Sequence, residues 1–195
     1  AERRRQLATC AVRVFARYGL GNAGHAQVAD EAAVSTPTVF LYMPNRQALI
    51  DCVLAEVGSY LVKMVIDAAA VETIASDKLL AVMQAFARAI DSEADYVNVF
   101  LNWRTIVHEE TWTQYVDFQD RILATFESMI ERGVKKAEIP AEVNPVTGAH
   151  LVMGSAHMIA QMKFRGRDPR AGCAPPDRAA GRRPAAAAGI PGFRE

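Results

Sequence analysis

VADEAAVSTPTVFLYMPNRQAL, from Val28 to Leu49, has the spacing of two short helices crossing at a steep angle, followed by the start of a third. Val28, Ala29, Ala32, Val34, Val39 and Tyr42 fall where such a pair needs small or apolar residues to meet, and the polar positions fall outside. Ser35 or Thr36 is placed to cap the second helix by accepting a backbone N–H. Pro37 then takes a first-turn position, where its missing N–H costs nothing and its fixed φ suits a helix start. The spacing predicts this helix over Pro37 to Met43. Pro44 ends it, and Asn45 caps a long helix to about Ile66 with Leu49, Val53, Val57, Tyr60 or Leu61, and Met64 on one stripe.

A helix-turn-helix of this shape lays its second helix in the major groove of DNA. The residues facing bases are then Thr36, Pro37, Thr38 and Leu41, with Ser35, Phe40 and Tyr42 at the edges. Threonine bonds a base or a phosphate, Pro37 and Leu41 offer apolar contact, best to a thymine methyl, and Tyr42 reaches a phosphate. With so little charge on the helix, phosphate contacts and DNA shape must carry much of the binding. Asn45 and Arg46 open the next helix, where backbone N–H groups and a guanidinium can hold a phosphate together. His25 and Gln27 are divided between phosphate contact and plain capping. Arg3, Arg4 and Arg5 are ill-placed for the dipole of a helix start and read better as a basic arm for the minor groove. A helical hairpin that binds nothing shares this outline, but capping, proline placement and spacing agree on the DNA-binding unit.

Charge follows the same division. Residues 1–48 hold six Arg against three acidic residues, residues 49–165 ten basic against sixteen acidic, and residues 166–195 six Arg against three acidic. A basic head meets phosphates and an acidic body stays off them. No run of about eighteen apolar residues indicates a membrane span, and AERRRQLATCAV lacks the ending of a signal peptide. Cys10, Cys52 and Cys173 are odd in number and lack metal spacing, which points to a reducing cytoplasm. His108, His150 and His157 do not make a metal site either. The last two are seven residues apart, two helical turns, too far for one ion without a third ligand. No glycine-rich cofactor loop, paired carboxylates or nucleophile triad supports an all-α enzyme, so neither cofactor nor catalysis is expected.

The first helix is predicted over Glu2 to Tyr18 with Gly19 as its stop. In the body, Ser76 is placed to cap a helix, another spans Tyr96 to Val107, and a longer one spans Thr111 to Arg132 with Gly133 ending it. Asn144-Pro145 starts the last clear helix, to Phe164. Tyr60, Met64, Phe86, Phe100, Asn102, Trp103, Phe126, Met129, Met153 and His157 are candidates to line a chamber for a small apolar effector, as against plain core. The last helix is apolar on more than one face, which suits packing on its own body and on a second subunit through Val146, Ala149, His150, Val152, Met153, Ala156 and Ala160. A homodimer is also what a palindromic operator requires, since one short helix reads too few base pairs.

These motifs resemble the TetR family of bacterial one-component repressors, whose recognition-helix pattern PTVFLYMPNRQAL follows. FARYGLGNAGHAQVADEA at Phe15 to Ala32, VSTPTVFLYMPNR, and the downstream NW and ETW around Trp103 and Trp112 are similar to the LuxR/HapR-type quorum-sensing regulators within it. The resemblance spans roughly Glu2 to Phe164. It implies a repressor, or a dual regulator, that binds double-stranded DNA as a dimer in the cytoplasm and senses a small molecule in its body. Leu41 stands where that subgroup carries a polar base-reading residue. Ala33 replaces the glycine common at the turn, a cost of roughly 1 kcal/mol wherever φ is positive.

The expectation is therefore an all-α chain: a three-helix DNA-binding domain over 1–48, a helical ligand-binding and dimerisation bundle over 49–165, and an irregular tail over 166–195. The tail has five Gly, five Pro, eight Ala and six Arg and almost no aliphatic stripe, where the resemblance implies another amphipathic helix. A dimeric adaptor that has kept the fold and lost DNA is the remaining rival, and binding to a palindromic fragment separates the two.

Overall fold

The computed structural model describes residues 2–103 and 109–165. The end predicted at Val107, His108, Cys173 and the whole 166–195 segment lie outside them. The described residues form eight helices and no strand: α1 (Glu2–Asn22), α2 (His25–Glu31), α3 (Thr36–Tyr42), α4 (Arg46–Ala70), α5 (Ala75–Ser92), α6 (Ala94–Trp103), α7 (Glu109–Lys135) and α8 (Pro145–Phe164).

The start signals behave as their chemistry dictates. Ser35 Oγ accepts from the Thr38 N–H, Asn45 Oδ1 from Ala48 N–H at 2.8 Å, and Asn144 Oδ1 from Thr147 N–H at 3.0 Å. Gly19 breaks α1 with φ 77°, so the stop falls as predicted, but a further turn carries the helix on to Asn22. Ala33 sits at the turn with φ 51°, paying the cost that a glycine there avoids.

Two predicted signals differ. Ser76 does not cap α5; the Ala75 N–H is taken instead by Glu138 Oε2 at 2.8 Å, from a residue distant in sequence. Gly133 does not end α7, which runs on to Lys135, and the left-handed residue is Ala137 at φ 59°. Gly133 serves packing: a Cβ there would lie 2.6 Å from Ala75 Cβ and 2.8 Å from Ile139 Cδ1.

α1, α2 and α3 pack with the start of α4 around Leu7, Val14, Phe15, Val28, Val39, Met43 and Leu49, all buried to 1% exposure or less. Beyond them α4 continues into the body, where it packs on α5, α6 and α7 with Val82, Phe86, Phe100, Phe118, Ile122 and Phe126 inward, and α8 packs on α5 and α7. α1 also packs on α6, so the head meets the body at two places. The boundary expected at residue 48 falls within the first turn of α4.

Gly133→Ala is expected to destabilise the protein by about 1–3 kcal/mol through forced separation of α5 and α7. Thermal unfolding by circular dichroism checks this, and an unchanged midpoint would show that the contact relaxes freely.

Candidate nucleic-acid interface and ligand chamber

α3 is held from behind and bare in front. Val39 and Met43 are fully buried, while Leu41 is 78% and Phe40 45% exposed, with Pro37 also outward. Ser35 is exposed, Thr36, Thr38 and Tyr42 are half-buried, and the Ser35 and Thr38 hydroxyls pair with each other at 2.8 Å.

The flanking residues are divided between this face and its support. The His25 ring stacks on Phe40, with centroids 4.0 Å apart and planes 5° from parallel, and its Nε2–H donates to Met43 O at 2.8 Å. His25 thus braces the C-terminal half of α3. Gln27 Nε2 donates to Asn22 O at 3.5 Å. The Arg46 guanidinium, expected at a phosphate, donates to Ala23 O at 2.8 Å, Leu20 O at 2.8 Å and Gly21 O at 2.6 Å. These carbonyls end α1, where a cation is favoured. Arg46 therefore ties α4 to the α1–α2 corner.

Arg3, Arg4 and Arg5 are exposed and helical, within the first turns of α1, not an extended arm. Arg4 and Arg5 share a groove with Tyr42, Pro44 and Ala48, so these cations stand beside the end of α3. Arg13 and Arg17 are spent on Glu31, at 3.7 and 3.5 Å. Burial pushes the Cys52 thiol up from its ordinary pKa, with Arg4 opposing, and a protonated buried thiol is inert.

In the body an apolar cavity of ≈ 40 Å³ lies among α4, α5, α6, α7 and α8. Met64, Phe86, Phe100, Phe126, Met153 and His157 line it as predicted, joined by Leu61, Val65, Val82, Met83, Phe118, Ile122 and Ala156. Most of the additions lie three or four residues from predicted members on the same helix, as Leu61 does from Met64, Val82 from Phe86 and Ile122 from Phe126. The other four candidates are elsewhere. Tyr60 packs its ring on Tyr96 at 4.7 Å, Trp103 stacks on Phe118 at 5.6 Å beside a separate groove, Asn102 is exposed and donates to Asn98 Oδ1, and Met129 packs in the core. Burial raises the Tyr60 and Tyr96 hydroxyls above their ordinary range. Size and softness suggested these residues, but the helical face decides which reach the cavity.

Of the expected dimer residues on α8, Ala149, Met153 and Ala160 are buried within the protomer and unavailable to a partner. Val146 and His150 are exposed, Val152 and Ala156 half-buried. Leu151 at 67% and Met158 at 57% exposure also face outward, with Gly154 and Ser155 between them. No group of three or more His, Cys, Asp or Glu is arranged for a metal among the described residues. No described helix is long and apolar enough to cross a membrane.

Comparison with known proteins gives two family matches. The family described as "Bacterial regulatory proteins, tetR family" matches residues 9–53, and "Tetracyclin repressor-like, C-terminal domain" matches residues 72–161. The HTH-type transcriptional regulator LuxR of Vibrio harveyi is 27% identical over 158 residues, 81% of this chain and 77% of that protein. The fold is shared with FadR of Bacillus halodurans (TM-score 0.73, 17% identity, 83% of this chain and 87% of that one). It is shared too with FadR of Bacillus subtilis in complex with stearoyl-CoA (TM-score 0.71, 18% identity, 83% and 87%). A third is AibR in complex with isovaleryl coenzyme A and operator DNA (TM-score 0.69, 15% identity, 82% and 86%).

Arg46→Ala is expected to lower stability by about 2 kcal/mol, since three backbone carbonyls lose a charged donor. Chemical denaturation measures it. A stable variant with weakened DNA binding alone would return Arg46 to the phosphate role.

Proposed function

This chain belongs to the TetR family of bacterial regulatory proteins, with transcriptional regulation as the family's role, and from that premise we propose how it acts. Two copies bind a palindromic operator in the cytoplasm, each laying α3 in the major groove, and an apolar effector in the body weakens that binding so that the protein represses until the effector arrives. The observation that carries this reading is the bare outer face of α3, with Leu41 78% exposed on a helix whose Val39 and Met43 are fully buried.

Thr36, Pro37, Thr38 and Leu41 present the groove-facing surface, with Ser35, Phe40 and Tyr42 at its edges and Gln27 and Asn45 at neighbouring helix starts. Arg3, Arg4 and Arg5 supply phosphate contacts from the start of α1. His25 and Arg46 position the reading helix. Residues 1–48 carry recognition, and 49–165 carry sensing and pairing, consistent with the charge division. The exposed strip of Leu151, Gly154, Ser155 and Met158, with Val146 and His150, is the dimer contact on α8. Two copies then set their α3 helices about 34 Å apart, one DNA turn. The cavity supports effector binding, as do the acyl-CoA complexes of FadR and AibR, which share this fold.

Leu41→Glu tests the assignment. Its side chain is outward, so unfolding is expected to be unchanged within about 0.5 kcal/mol. An anion facing phosphates and base edges should cost at least about a hundredfold in binding to DNA selected by the wild-type protein. Gel shifts measure this, and wild-type affinity in the variant would rule this face out.

A further inference from the structure

The outward face of α3 is apolar. Pro37, Phe40 and Leu41 recur at i, i+3 and i+4, so they share one side of the helix, and all three are exposed, Leu41 to 78%. Taking such a patch out of water is favourable wherever a partner offers apolar surface of its own. A base edge in the major groove offers it at one place only, the C5 methyl of thymine.

The hydrogen-bonding groups beside the patch are engaged within the fold. The Ser35 and Thr38 hydroxyls pair at 2.8 Å, and Ser35 Oγ also accepts from the Thr38 N–H as the helix cap. Asn45 Oδ1 accepts from the Ala48 N–H at 2.8 Å, and Gln27 Nε2 donates to Asn22 O. The α3 sequence itself, TPTVFLY, holds no Arg, Lys, Asn, Gln, Asp or Glu, the residues that read guanine, adenine or cytosine by hydrogen bonds. Thr36 has one hydroxyl, which both donates and accepts and so favours no base. Tyr42 shares its groove with Arg4 and Arg5, which suits a phosphate. The patch is also pre-ordered: His25 stacks on Phe40 with centroids 4.0 Å apart, so that ring has little freedom left to lose on contact.

Resting on the DNA-binding reading above, we propose that α3 reads methyl groups. Leu41, flanked by Pro37 and Phe40, selects a pyrimidine that carries a C5 methyl and is indifferent to the rest of the base pair. Thymine satisfies it. So does 5-methylcytosine, which sets the same methyl at the same place in the groove. Operator binding by this chain is therefore responsive to C5 methylation wherever a cytosine stands opposite Leu41.

Two series of duplexes test this, both built on DNA that the full chain selects from a random library at moderate salt. In the first, each symmetry-related pair of thymines is replaced by uracil, which keeps the pairing with adenine and removes only the methyl. Opposite Leu41, one lost methyl contact should cost about fourfold in affinity, and the two half-sites together about fifteenfold. Leu41→Ala, on the same duplexes, should shrink the joint penalty to about twofold or less, with both proteins compared at one salt concentration low enough for the variant to bind measurably. In the second series, cytosine at that position should bind more weakly than thymine, and 5-methylcytosine should restore affinity to within about twofold of thymine. Selected half-sites without a recurring thymine, uracil duplexes that all bind like the parent, a penalty unchanged in Leu41→Ala, or 5-methylcytosine that binds no better than cytosine would each overturn methyl reading and leave DNA binding standing. Selection of no sequence at all sinks the DNA-binding reading, and this one with it.

Discussion

A helix of seven residues makes too few internal hydrogen bonds to hold its own shape in water, and α3 is such a helix. Its form and direction are imposed from outside. Val39 and Met43 sink into the packing of α1, α2 and α4, each worth roughly 1.5–3 kcal/mol when fully buried. His25 closes the arrangement by stacking on Phe40 and bonding Met43 O. Arg46 then pins the start of α4 to the carbonyls at the end of α1. The outward residues of α3 are positioned by residues that face inward or flank it.

This explains what was legible in the sequence. Short-range signals were reliable: Ser35, Asn45 and Asn144 cap helices because a cap depends only on residues within one turn, and the left-handed Gly19 stops α1's regular run. Signals that depend on a distant partner were not. Gly133 reads as a helix stop until Ala75 and Ile139 are seen pressing against it, and Ser76 reads as a cap until Glu138 arrives to do that work. Arg46 illustrates the same limit at the candidate site. A cation opening a helix beside a recognition helix fits a phosphate, and only the folded chain brings the carbonyls of Leu20, Gly21 and Ala23 within reach.

In the body the period was legible and the phase was not. The last helix is apolar nearly all round, so its pattern could not say which residues face inward. Packing against α5 and α7 resolves this, taking Ala149, Met153, His157 and Ala160 inside and leaving Leu151 and Met158 outside. Trp103 fails as a chamber residue for a related reason. Its size favours burial, which occurs, but the ring stacks on Phe118 and meets Tyr115 edge-to-face, and it lies outside the cavity lining.

The connection between chamber and reading helix follows from α4. Leu61, Met64 and Val65 line the chamber, while Arg46 starts the same unbroken helix of 25 residues, roughly 37 Å long. A helix without a kink transmits a displacement at one end as a tilt at the other. Because Arg46 is fastened to the α1–α2 corner, any tilt of α4 would carry that corner with it. Three further ties oppose it: Asp51 Oδ1 accepts from Gln47 at 2.8 Å and from Gln114 of α7 at 2.7 Å, Tyr96 of α6 donates to Glu56 at 3.2 Å, and Asn98 of α6 donates to Ala16 O at 3.2 Å. The Asn98 bond holds α1 to α6, while the Asp51 and Glu56 bonds hold α4 to α7 and α6 in the arrangement seen here. A ligand that parts α4 from α7 must strain or exchange them, so its effect on DNA is bounded by its preference for the arrangement in which they are changed.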